Sequence, residues 1–465
     1  MSALDLLVIG GGAAGLSAAA TARAMEMSVE LLDERPALGG NFFAGIGERQ
    51  ADGTIFGPEY RRGAALLAKA GAARLSKATL AWRVERNGRT YVLGGEESAV
   101  RSIAPKRLLI ATGAMERPVP VPGAMLPGVM YAGAAQLMLK SAASIPAGPC
   151  VLVGSGPLLL LLAKQLLAFG VVPSAIVETT PRAGLGATLR GLASAFNAPD
   201  LLFKGLGLHR AIKKARIPWH RHATRVSIAG PHRAERVEFT DARGDRQSID
   251  ADLVLLHDGV IPNDQVTRQL GCSERWNAAQ HCFNTVIDQW GETSQPGIFA
   301  AGDCTGIWGA AAAELSGELA VLEIGRQLGH IDEQERDRRA TRPLLKLKRQ
   351  RAFRPFLEAR FPPSISRANG AAADTVICRC ENVTAGEIRA AVAHGATGPD
   401  QLKSFTRCGM GPCQGRSCAM AVAEIIAEES SGSVMDVGRH DIRPPLKPLP
   451  LGKIAAAAVE LEAVP

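Results

Sequence analysis

The sequence predicts an α/β protein with two dinucleotide-binding folds and a small cysteine-rich domain towards its C-terminal end. Three observations predict this fold class. A short apolar run leads into a glycine-rich turn near residue 10, the same arrangement recurs near residue 154, and five of the nine cysteines fall within residues 378–418. The 465 residues are enough for about three domains of roughly 150 residues each.

The composition is that of a globular protein and narrows the possible function classes. Hydrophobic residues make up 46% of the chain and charged residues 21%, which excludes wholesale disorder. The net charge of +8 is modest and comes without a nucleic-acid-binding motif, so we do not expect a nucleic-acid partner. The longest apolar run, 158–162, is followed by Lys164, too early for a membrane span. We expect a cytoplasmic protein without a transmembrane segment, associated with membranes only through partners.

The first glycine turn has the sequence context of a dinucleotide site. Residues 4–9 predict a buried strand, Gly10–Gly15 follows as GxGxxG, an Ala-rich helix runs to about Met27, and the strand Val29–Leu32 ends at Asp33. The first glycine permits the tight turn, the second lets the backbone approach a pyrophosphate, and the third lets the helix pack on the strand. The helix N-terminus offers N–H groups to the phosphates, and Asp33 can accept hydrogen bonds from a ribose.

Three further segments favour a flavin over NAD at this site. They are the acid–Arg–x–x–x–Gly–Gly run 34–40, the Ala-Thr-Gly segment that ends Leu108–Gly113, and Gly297–Asp303. In this order they resemble the FAD motifs of the two-dinucleotide-domain flavoproteins, the glutathione-reductase-like family, in which the aspartate matching Asp303 binds the ribityl chain. The resemblance implies that the cofactor-binding residues are Gly10, Gly12, Ala14, Gly15, Asp33, Glu34, Arg35, Gly40, Thr112, Gly113, Gly302 and Asp303.

The second glycine turn is less regular. Cys150–Pro157 is again a strand that leads into a glycine turn, and Glu178 ends the next predicted strand, Ala175–Val177. The third glycine position is taken by Leu159, which would push the helix away from the strand and crowd a pyrophosphate. We therefore expect a retained NAD(P)-binding-like domain that is degenerate, with NAD(P)H binding as the alternative.

A redox-active disulfide is not expected. Disulfide reductases of this fold carry paired cysteines beside the flavin. Residues 39–60 contain no cysteine, and Cys150 stands alone in its domain. The sequence therefore does not favour a thiol-reductase function.

The clustered cysteines predict an iron–sulfur site. Their spacing is C-x-C, then 32 residues, then C-x4-C, and four thiolates on two loops fit a [2Fe–2S] cluster because each iron takes two cysteines. A structural zinc ion also takes four thiolates, although closed zinc sites usually use C-x2-C knuckles on both sides. We expect Cys378, Cys380, Cys413 and Cys418 as ligands. Whether the fifth thiol, Cys408, replaces one of them stays open.

This segment resembles the bacterioferritin-associated-ferredoxin-like (BFD-like) [2Fe–2S] domain through its pattern C-R-C-E … T-R-x-G-M-G-x-C-Q-G-R-x-C. Fused to a flavoprotein fold, it is similar to the large subunits of octopine and nopaline oxidases, hydrogen cyanide synthase and D-hydroxyproline dehydrogenase. Residues 154–159, 257–263 and 443–448 also resemble that group, so the resemblance covers nearly the whole chain.

The resemblance implies a role in a heteromeric enzyme. A partner subunit that resembles D-amino-acid oxidase would carry its own FAD and oxidise an amine C–N bond to an imine. This chain would relay the electrons to a downstream acceptor, and a further small subunit can be present. The dinucleotide site would hold FAD or an adenine nucleotide, with an FMN between subunits in related assemblies. We find no set of residues in this sequence that indicates a catalytic base for amine oxidation, so the catalytic residues stay unknown.

The motifs and the resemblance together divide the chain. A discontinuous FAD domain is expected at 1–114 and 252–330, an inserted NAD(P)-binding-like domain at 115–251, a charged linker at 331–372, the [2Fe–2S] domain at 373–430 and a Pro-rich tail at 431–465. Two other functions stay open. One is a self-sufficient NAD(P)H-dependent reductase of the ferredoxin type, and the other is an assembly or regulatory subunit that binds a nucleotide and a cluster for structure only.

Overall fold

The structure is a computed structural model and describes residues 4–47, 53–71, 73–94, 100–182, 199–364, 368 and 370–455. Residues 183–198 and 456–465, which belong to the predicted inserted domain and tail, lie outside the described residues. The elements of the first part are β1 (Leu6–Ile9), α1 (Ala13–Arg23), β2 (Val29–Leu32), α2 (Gly53–Phe56), α3 (Pro58–Ala70), β3 (Arg74–Ser76), β4 (Thr79–Val84), β5 (Thr90–Gly94), β6 (Val100–Ile103), β7 (Arg107–Ile110) and β8 (Ala114–Glu116).

The second part runs from residue 129 to residue 262, and its last strand, Val260–Pro262, pairs with β8 of the first part. Its elements are β9 (Val129–Tyr131), α4 (Ala132–Ala142), β10 (Cys150–Ser155), α5 (Pro157–Ala168), β11 (Ala175–Glu178), α6 (Pro199–Lys214), β12 (Trp219–Arg221), β13 (Thr224–Ala229), β14 (Arg236–Thr240), β15 (Arg246–Asp250), β16 (Leu253–Asp258) and β17 (Val260–Pro262).

The chain then returns to the first part and continues into the cysteine-rich region. These elements are α7 (Gln265–Gln269), β18 (Glu274–Asn277), β19 (Cys282–Thr285), β20 (Ile298–Ala300), a 3-10 helix (Gly302–Thr305), α8 (Ala310–Gln327), α9 (Glu333–Ala352), α10 (Arg354–Arg360), β21 (Val376–Cys378), β22 (Val383–Thr384), α11 (Ala385–Ala393), α12 (Pro399–Thr406), α13 (Ala419–Glu429) and α14 (Val434–Val437).

The first sheet is parallel, in the order β20-β7-β1-β2-β3. Its edge strand β20 comes from the part of the chain that follows the second part. Helices α1 and α8 cover one face with small apolar side chains, which allows close packing. Helix α1 ends at Arg23, earlier than the predicted Met27. It ends there because Glu26 takes a left-handed φ of 56° and the Met27 N–H bonds back to the Ala22 carbonyl at 3.1 Å.

The second sheet, in the order β12-β11-β10-β16-β9, is also parallel and confirms the second predicted strand–turn–helix unit. An antiparallel three-stranded sheet, β13-β14-β15, packs beside it. Helix α5 begins at Pro157, directly after the glycine turn. The Leu159 side chain is buried in the core with Leu152 of β10 and Ile176 of β11, so this leucine packs between helix and sheet.

The cysteine-rich unit is a small helical domain with a two-stranded sheet, β21-β22. Helix α11 begins with a capping box in which Thr384 and Glu387 satisfy each other's backbone N–H groups. Helix α13 is buried along almost its whole length and forms the centre of this unit's core. No helix in the described part of the chain is both long enough and apolar enough to cross a membrane.

The tail after α14 joins the cysteine-rich unit to the first domain. The Leu446 side chain is buried in the core that lies on the second face of the first sheet, and its N–H donates to the Trp82 carbonyl at 2.7 Å. Arg439 pairs with the Asp264 carboxylate at 2.8 Å and also with Glu274. These contacts hold the cysteine-rich unit against the first domain.

Candidate functional site

A cavity of about 1240 Å³ opens at the carboxyl ends of the central strands β1, β2 and β7. This is the edge at which parallel α/β sheets bind nucleotides. Of the twelve predicted cofactor-binding residues, the eleven other than Gly15 line it: Gly10, Gly12, Ala14, Asp33, Glu34, Arg35, Gly40, Thr112, Gly113, Gly302 and Asp303. A Cβ at Gly15 would stand 1.8 Å from the Gly10 carbonyl oxygen, so Gly15 serves the packing of α1 on its strand.

The glycines of the first turn have different tasks. Gly10 has a φ of 112°, and a Cβ there would lie 2.3 Å from the Ala111 carbonyl oxygen, so this position brings the turn against the end of β7. At Gly12 the nearest atom to an added Cβ is the Gly40 Cα, 3.8 Å away. Gly12 and Gly40 therefore lie side by side in the cavity wall, and neither has a side chain. A phosphate can approach the backbone closely at this point.

Asp33 organises the loop after β2. Its two carboxylate oxygens accept hydrogen bonds from the N–H of Gly11 at 2.7 Å and from the N–H of Arg35 at 2.8 Å. Burial raises the pKa of Asp33 above its usual value, against these hydrogen bonds. The Arg35 guanidinium in turn donates to Asn41 Oδ1 at 2.7 Å, and Asn41 Nδ2 donates to the Ala114 carbonyl at 3.0 Å. The Asp33 side of the cavity is thus linked to the segment where the chain leaves the first domain.

Glu34 lies at the same edge with its carboxylate paired to the Lys447 ammonium of the tail. The side chains of Glu34 and Lys447 are 46% and 37% exposed. This predicted cofactor-binding residue therefore has a partner from the C-terminal part of the chain. No motif in the sequence indicates that contact.

Another part of the cavity wall is formed by two segments, the Ala-Thr-Gly segment after β7 and the residues that follow β20. Thr112 Oγ1 donates to the Asn263 carbonyl at 2.6 Å, which fixes the Ala-Thr-Gly segment. Asp303 Oδ1 accepts hydrogen bonds from the N–H groups of Trp308 at 2.8 Å and Gly309 at 2.9 Å. Burial raises the pKa of Asp303. Asp303 is thereby held in one orientation on the cavity wall.

Sequence reasoning missed a buried carboxylate–imidazole pair in the same cavity. His257 Nδ1 lies 2.8 Å from Glu116 Oε2, and Glu116 Oε1 accepts a hydrogen bond from the Gly133 N–H at 2.5 Å. His257 belongs to the motif 257–263, but Glu116 lies 141 residues away, and no local signal connects them. The pair stands where the two dinucleotide folds meet.

A buried lysine holds the loop that carries Asn41 by hydrogen bonds to its backbone carbonyls. Lys140 of α4 donates to the Phe42 carbonyl at 2.9 Å and to the Asn41 carbonyl at 3.3 Å. Its ammonium also lies 5.3 Å from the centre of the Phe42 ring. Burial lowers the pKa of Lys140 to about 8. The lysine is a structural support for the cavity wall.

The cysteine-rich unit brings its five thiols together. The Sγ atoms of Cys378, Cys408 and Cys418 all lie within 4.8 Å of one another and are buried. The thiols of Cys380 and Cys413 contact each other beside them, Cys380 exposed and Cys413 half-buried. All four predicted ligands are thus in one place, and Cys408 lies among them.

Hydrogen bonding within this group favours thiolate character at one position. Contacts from the Cys408 and Cys418 thiols lower the pKa of Cys378 well below its usual value. The same contact with Cys378 raises the pKa of Cys408, and contacts with both neighbours raise that of Cys418. A buried group of thiols that share protons in this way is a suitable ligand set for a metal centre, because metal binding replaces those protons.

The residues fit the two groups that the motifs predict. The glycine turn, Asp33 and Asp303 line one cavity, as a dinucleotide with a pyrophosphate, a ribose and a ribityl chain requires. The five thiols lie in two adjoining sets, and four of them suffice for the two irons of a [2Fe–2S] cluster, each of which takes two cysteines. The two sites are neighbours, since Arg416 between Cys413 and Cys418 lines the same cavity.

Comparison with known families assigns both parts of the chain. A family described as pyridine nucleotide-disulphide oxidoreductase matches residues 4–317. The BFD-like [2Fe-2S] binding domain matches residues 376–428. These matches confirm the predicted fold class, including the C-terminal iron–sulfur domain, and they confirm FAD and the [2Fe–2S] cluster as its cofactors.

Curated relatives are similar over nearly the whole length. An opine oxidase subunit of Agrobacterium tumefaciens (strain Ach5) is 41% identical over 463 residues, covering 97% of this chain and 91% of that protein. Hydrogen cyanide synthase subunit HcnB of Pseudomonas aeruginosa is 32% identical and covers 96% of this chain and 97% of its own. Among solved structures, L-proline dehydrogenase from P. horikoshii has a similar fold, with a TM-score of 0.72, 21% identity and coverage of 97% of this chain and 79% of that chain.

Proposed function

We propose a function from the premise that the chain belongs to the pyridine nucleotide-disulphide oxidoreductase family and carries a BFD-like [2Fe–2S] binding domain. It is therefore an oxidoreductase that binds FAD and a [2Fe–2S] cluster. FAD supplies two-electron chemistry and the cluster one-electron chemistry, so a chain that holds both can divide an electron pair into single electrons. Within this class, we propose that the chain is the electron-relay subunit of a heteromeric amine-oxidising dehydrogenase.

The observation that carries the proposal is that one cysteine arm lines the cavity of the predicted FAD-binding residues and the other contacts its wall. Arg379, the middle residue of the C-x-C arm, lies over the ring of Tyr131 at 5.8 Å, and Tyr131 lines the cavity. Arg416, inside the C-x4-C arm, lines the same cavity directly. A cluster held by these arms would have a short path to a flavin, as a relay requires.

The cluster also has an outward side, which a relay needs for electron exchange with another protein. Cys380 is exposed, and Met410 on the neighbouring loop is 53% exposed. Cys378 and Cys418 are buried on the inner side. This arrangement supports a function in which electrons enter the chain on one side of the cluster and leave on the other.

The partner in this proposal is an FAD-containing catalytic subunit that resembles D-amino-acid oxidase and oxidises the amine to an imine. The support is that the relatives are named as subunits of larger enzymes: one of an opine oxidase, one of hydrogen cyanide synthase and, at 25% identity, the alpha subunit of a sarcosine oxidase. The substrate pocket would then lie on the partner. A further small subunit, an FMN between subunits and a cytoplasmic location belong to the same proposal.

Copurification followed by assays of the isolated chain and of the complex tests the proposal. The tagged chain, expressed in its own host, should copurify with an FAD protein of the D-amino-acid-oxidase class. The complex should reduce a dye acceptor with one member of a panel of octopine, nopaline, glycine, sarcosine and hydroxyproline. The isolated chain should not, although dithionite should bleach both its flavin and its cluster.

Three other results would contradict the proposal, and each would identify a different function. Amine oxidation by the isolated chain would place the substrate pocket here. Rapid bleaching of the flavin by NADH or NADPH would identify a self-sufficient reductase. A flavin and a cluster that dithionite cannot reduce would identify an assembly subunit.

A further inference from the structure

The second dinucleotide fold has the parts of a nucleotide site but makes its hydrogen bonds within the chain. In such folds an acid at the end of the second strand binds a ribose, and the first strand–helix turn receives the pyrophosphate. Glu178 ends β11 in the position of that acid, and Gly154–Gly156 form the turn. Whether a dinucleotide can bind here depends on what these groups already contact.

Both carboxylate oxygens of Glu178 are occupied by side chains of the protein. Arg360, at the end of α10, donates to Oε1 at 3.0 Å, and Trp219 Nε1 donates to Oε2 at 2.9 Å. Arg221 Nε lies 3.7 Å from Oε2. Glu178 is buried, with 3% of its surface exposed. A ribose hydroxyl would have to compete with a part-buried, charge-assisted hydrogen bond for this carboxylate.

The neighbouring strand ends bind the chain that follows Arg360. Ser155 Oγ, within the glycine turn, lies 3.3 Å from the Pro362 carbonyl oxygen. Asp258, at the end of β16, accepts a hydrogen bond from the Ser364 N–H at 2.7 Å. The Ser364 hydroxyl lies 2.8 Å from Thr179 Oγ1, directly after β11. The segment Arg360–Ser364 thus makes hydrogen bonds to the carboxyl ends of three adjacent strands, β10, β11 and β16.

The glycine turn is also used for packing. A Cβ at Gly154 would lie 1.7 Å from the His257 carbonyl oxygen, and one at Gly156 would lie 2.8 Å from His257 Nε2. Helix α5 begins with Pro157, which has no N–H to offer a phosphate. The large cavity reaches this turn, and there Arg360, Phe361 and Pro363 form part of its wall.

We propose that the segment Arg360–Ser364 occupies the second dinucleotide site and excludes nicotinamide dinucleotides from it. Arg360 takes the place of the ribose contact at Glu178, and Ser364 holds the segment on Asp258 and Thr179. The exclusion is a specificity device: it prevents NADH and NADPH from reducing the flavin, so electrons enter the chain by another route. This inference goes beyond the proposed function, because a relay with an open second site is equally conceivable.

The test compares NADH binding to the full chain and to the variant Arg360→Ala/Ser364→Ala by isothermal titration calorimetry. The wild type should show no saturable binding up to about 1 mM, and the double variant should bind saturably with a Kd of about 0.1 mM or lower, at least about tenfold below that limit. Arg342→Ala, on the exposed side of α9 in the same linker, is the matched control and should behave as the wild type. Flavin and iron content verify that each variant is folded.

Two outcomes of the titration would overturn the inference. Saturable NADH binding by the wild type would show that the segment leaves the site open. Absence of binding by a folded double variant would show that other features, such as Leu159, close it. If the double variant does not fold, hydrogen exchange of the wild type decides. The Ser364 amide should exchange slowly and be unaffected by NADH at about 1 mM, whereas faster exchange on adding NADH would mean that NADH displaces the segment. These readouts do not depend on amine oxidation, so they can fail or succeed independently of the proposed function.

Discussion

Arg416, which lies between Cys413 and Cys418, two predicted cluster ligands, donates a hydrogen bond to the carbonyl oxygen of Leu446 in the C-terminal tail. The N–H of the same leucine donates to the Trp82 carbonyl of the first domain at 2.7 Å. One tail residue therefore connects the loop that carries two predicted cluster ligands to the first domain. Burial lowers the pKa of Arg416. Its contact with Leu446 is partly buried.

Leu446→Ala is expected to weaken this connection and to lower the free energy of unfolding by about 2–4 kcal/mol, because the leucine side chain is buried in the core. Differential scanning calorimetry of the holoprotein measures the change. The control is Leu451→Ala in the same tail, where the side chain is 83% exposed and little change is expected. Equal effects of the two substitutions would show that the tail is not docked as described.

Gly12→Ala is expected to lower the affinity for FAD by at least about tenfold, which corresponds to about 1.4 kcal/mol. Gly12 has a φ of −80°, which alanine readily adopts, and the nearest atom to the new methyl group is 3.8 Å away. The fold should therefore tolerate the change, while the methyl group enters the space that a phosphate needs. Titration of the deflavinated chain with FAD measures the affinity. Gly207→Ala on α6, outside the cavity lining and with nothing within 4 Å of an added Cβ, is the matched control. Unchanged affinity in Gly12→Ala would mean that this turn does not face the pyrophosphate.

Cys408→Ala is expected to retain the cluster, whereas Cys418→Ala should lose it. Both thiols are buried and close to Cys378, so burial and distance alone do not distinguish them. The C-x4-C arm does, since it pairs Cys418 with Cys413 on one loop. Iron analysis and the EPR spectrum of the dithionite-reduced protein give the answer. About two irons per chain in Cys418→Ala, with loss of iron in Cys408→Ala, would contradict the prediction. Cys408 would then be the cluster ligand and Cys418 the spare thiol.

Lys140 should make the free energy of unfolding increase between about pH 8 and pH 10.5, and Lys140→Met is expected to remove this increase. Burial lowers the folded-state pKa of Lys140 from 10.5 to about 8. Between these values the unfolded chain binds a proton that the folded chain does not, so raising the pH favours folding, by up to about 3 kcal/mol. The difference in thermal unfolding midpoint between wild type and variant, measured from pH 7 to pH 11, reports this contribution. Lys69→Met, at an exposed position on α3, is the control. Parallel pH curves for wild type and Lys140→Met would contradict the prediction.

The parts of the fold that depend on local sequence were predictable. A glycine with a positive φ or a backbone neighbour at contact distance cannot be replaced, so the turns at Gly10 and Gly154 show directly in the sequence. The strands that precede them are short apolar runs that stay buried on both faces. The second domain was recognisable in the same way, although Leu159 stands at its third glycine position.

The contacts that complete the site were not predictable from spacing, because they join residues far apart in the chain. Glu116 and His257 meet across 141 residues, and Lys140 reaches Phe42 across 98. The same limit applies to Glu178, which the motif marks as a ribose-binding acid, while the structure pairs it with Arg360, 182 residues later. Among the thiols, spacing indicated a set of four and left Cys408 open, and only the fold shows how close this fifth thiol lies.

The docking of Leu446 has a consequence for the order in which the molecule is made. Protein chains emerge from the ribosome from the N-terminal end, and domains generally fold as they appear. The first domain cannot complete its sheet until β20 has been synthesised, and one face of that sheet lacks a core side chain until Leu446 follows. The nascent flavin domain therefore remains incomplete while the inserted domain and the cysteine-rich unit are translated. The contact of Leu446 with the first domain can therefore form only after β20 and the whole cysteine-rich unit have been synthesised.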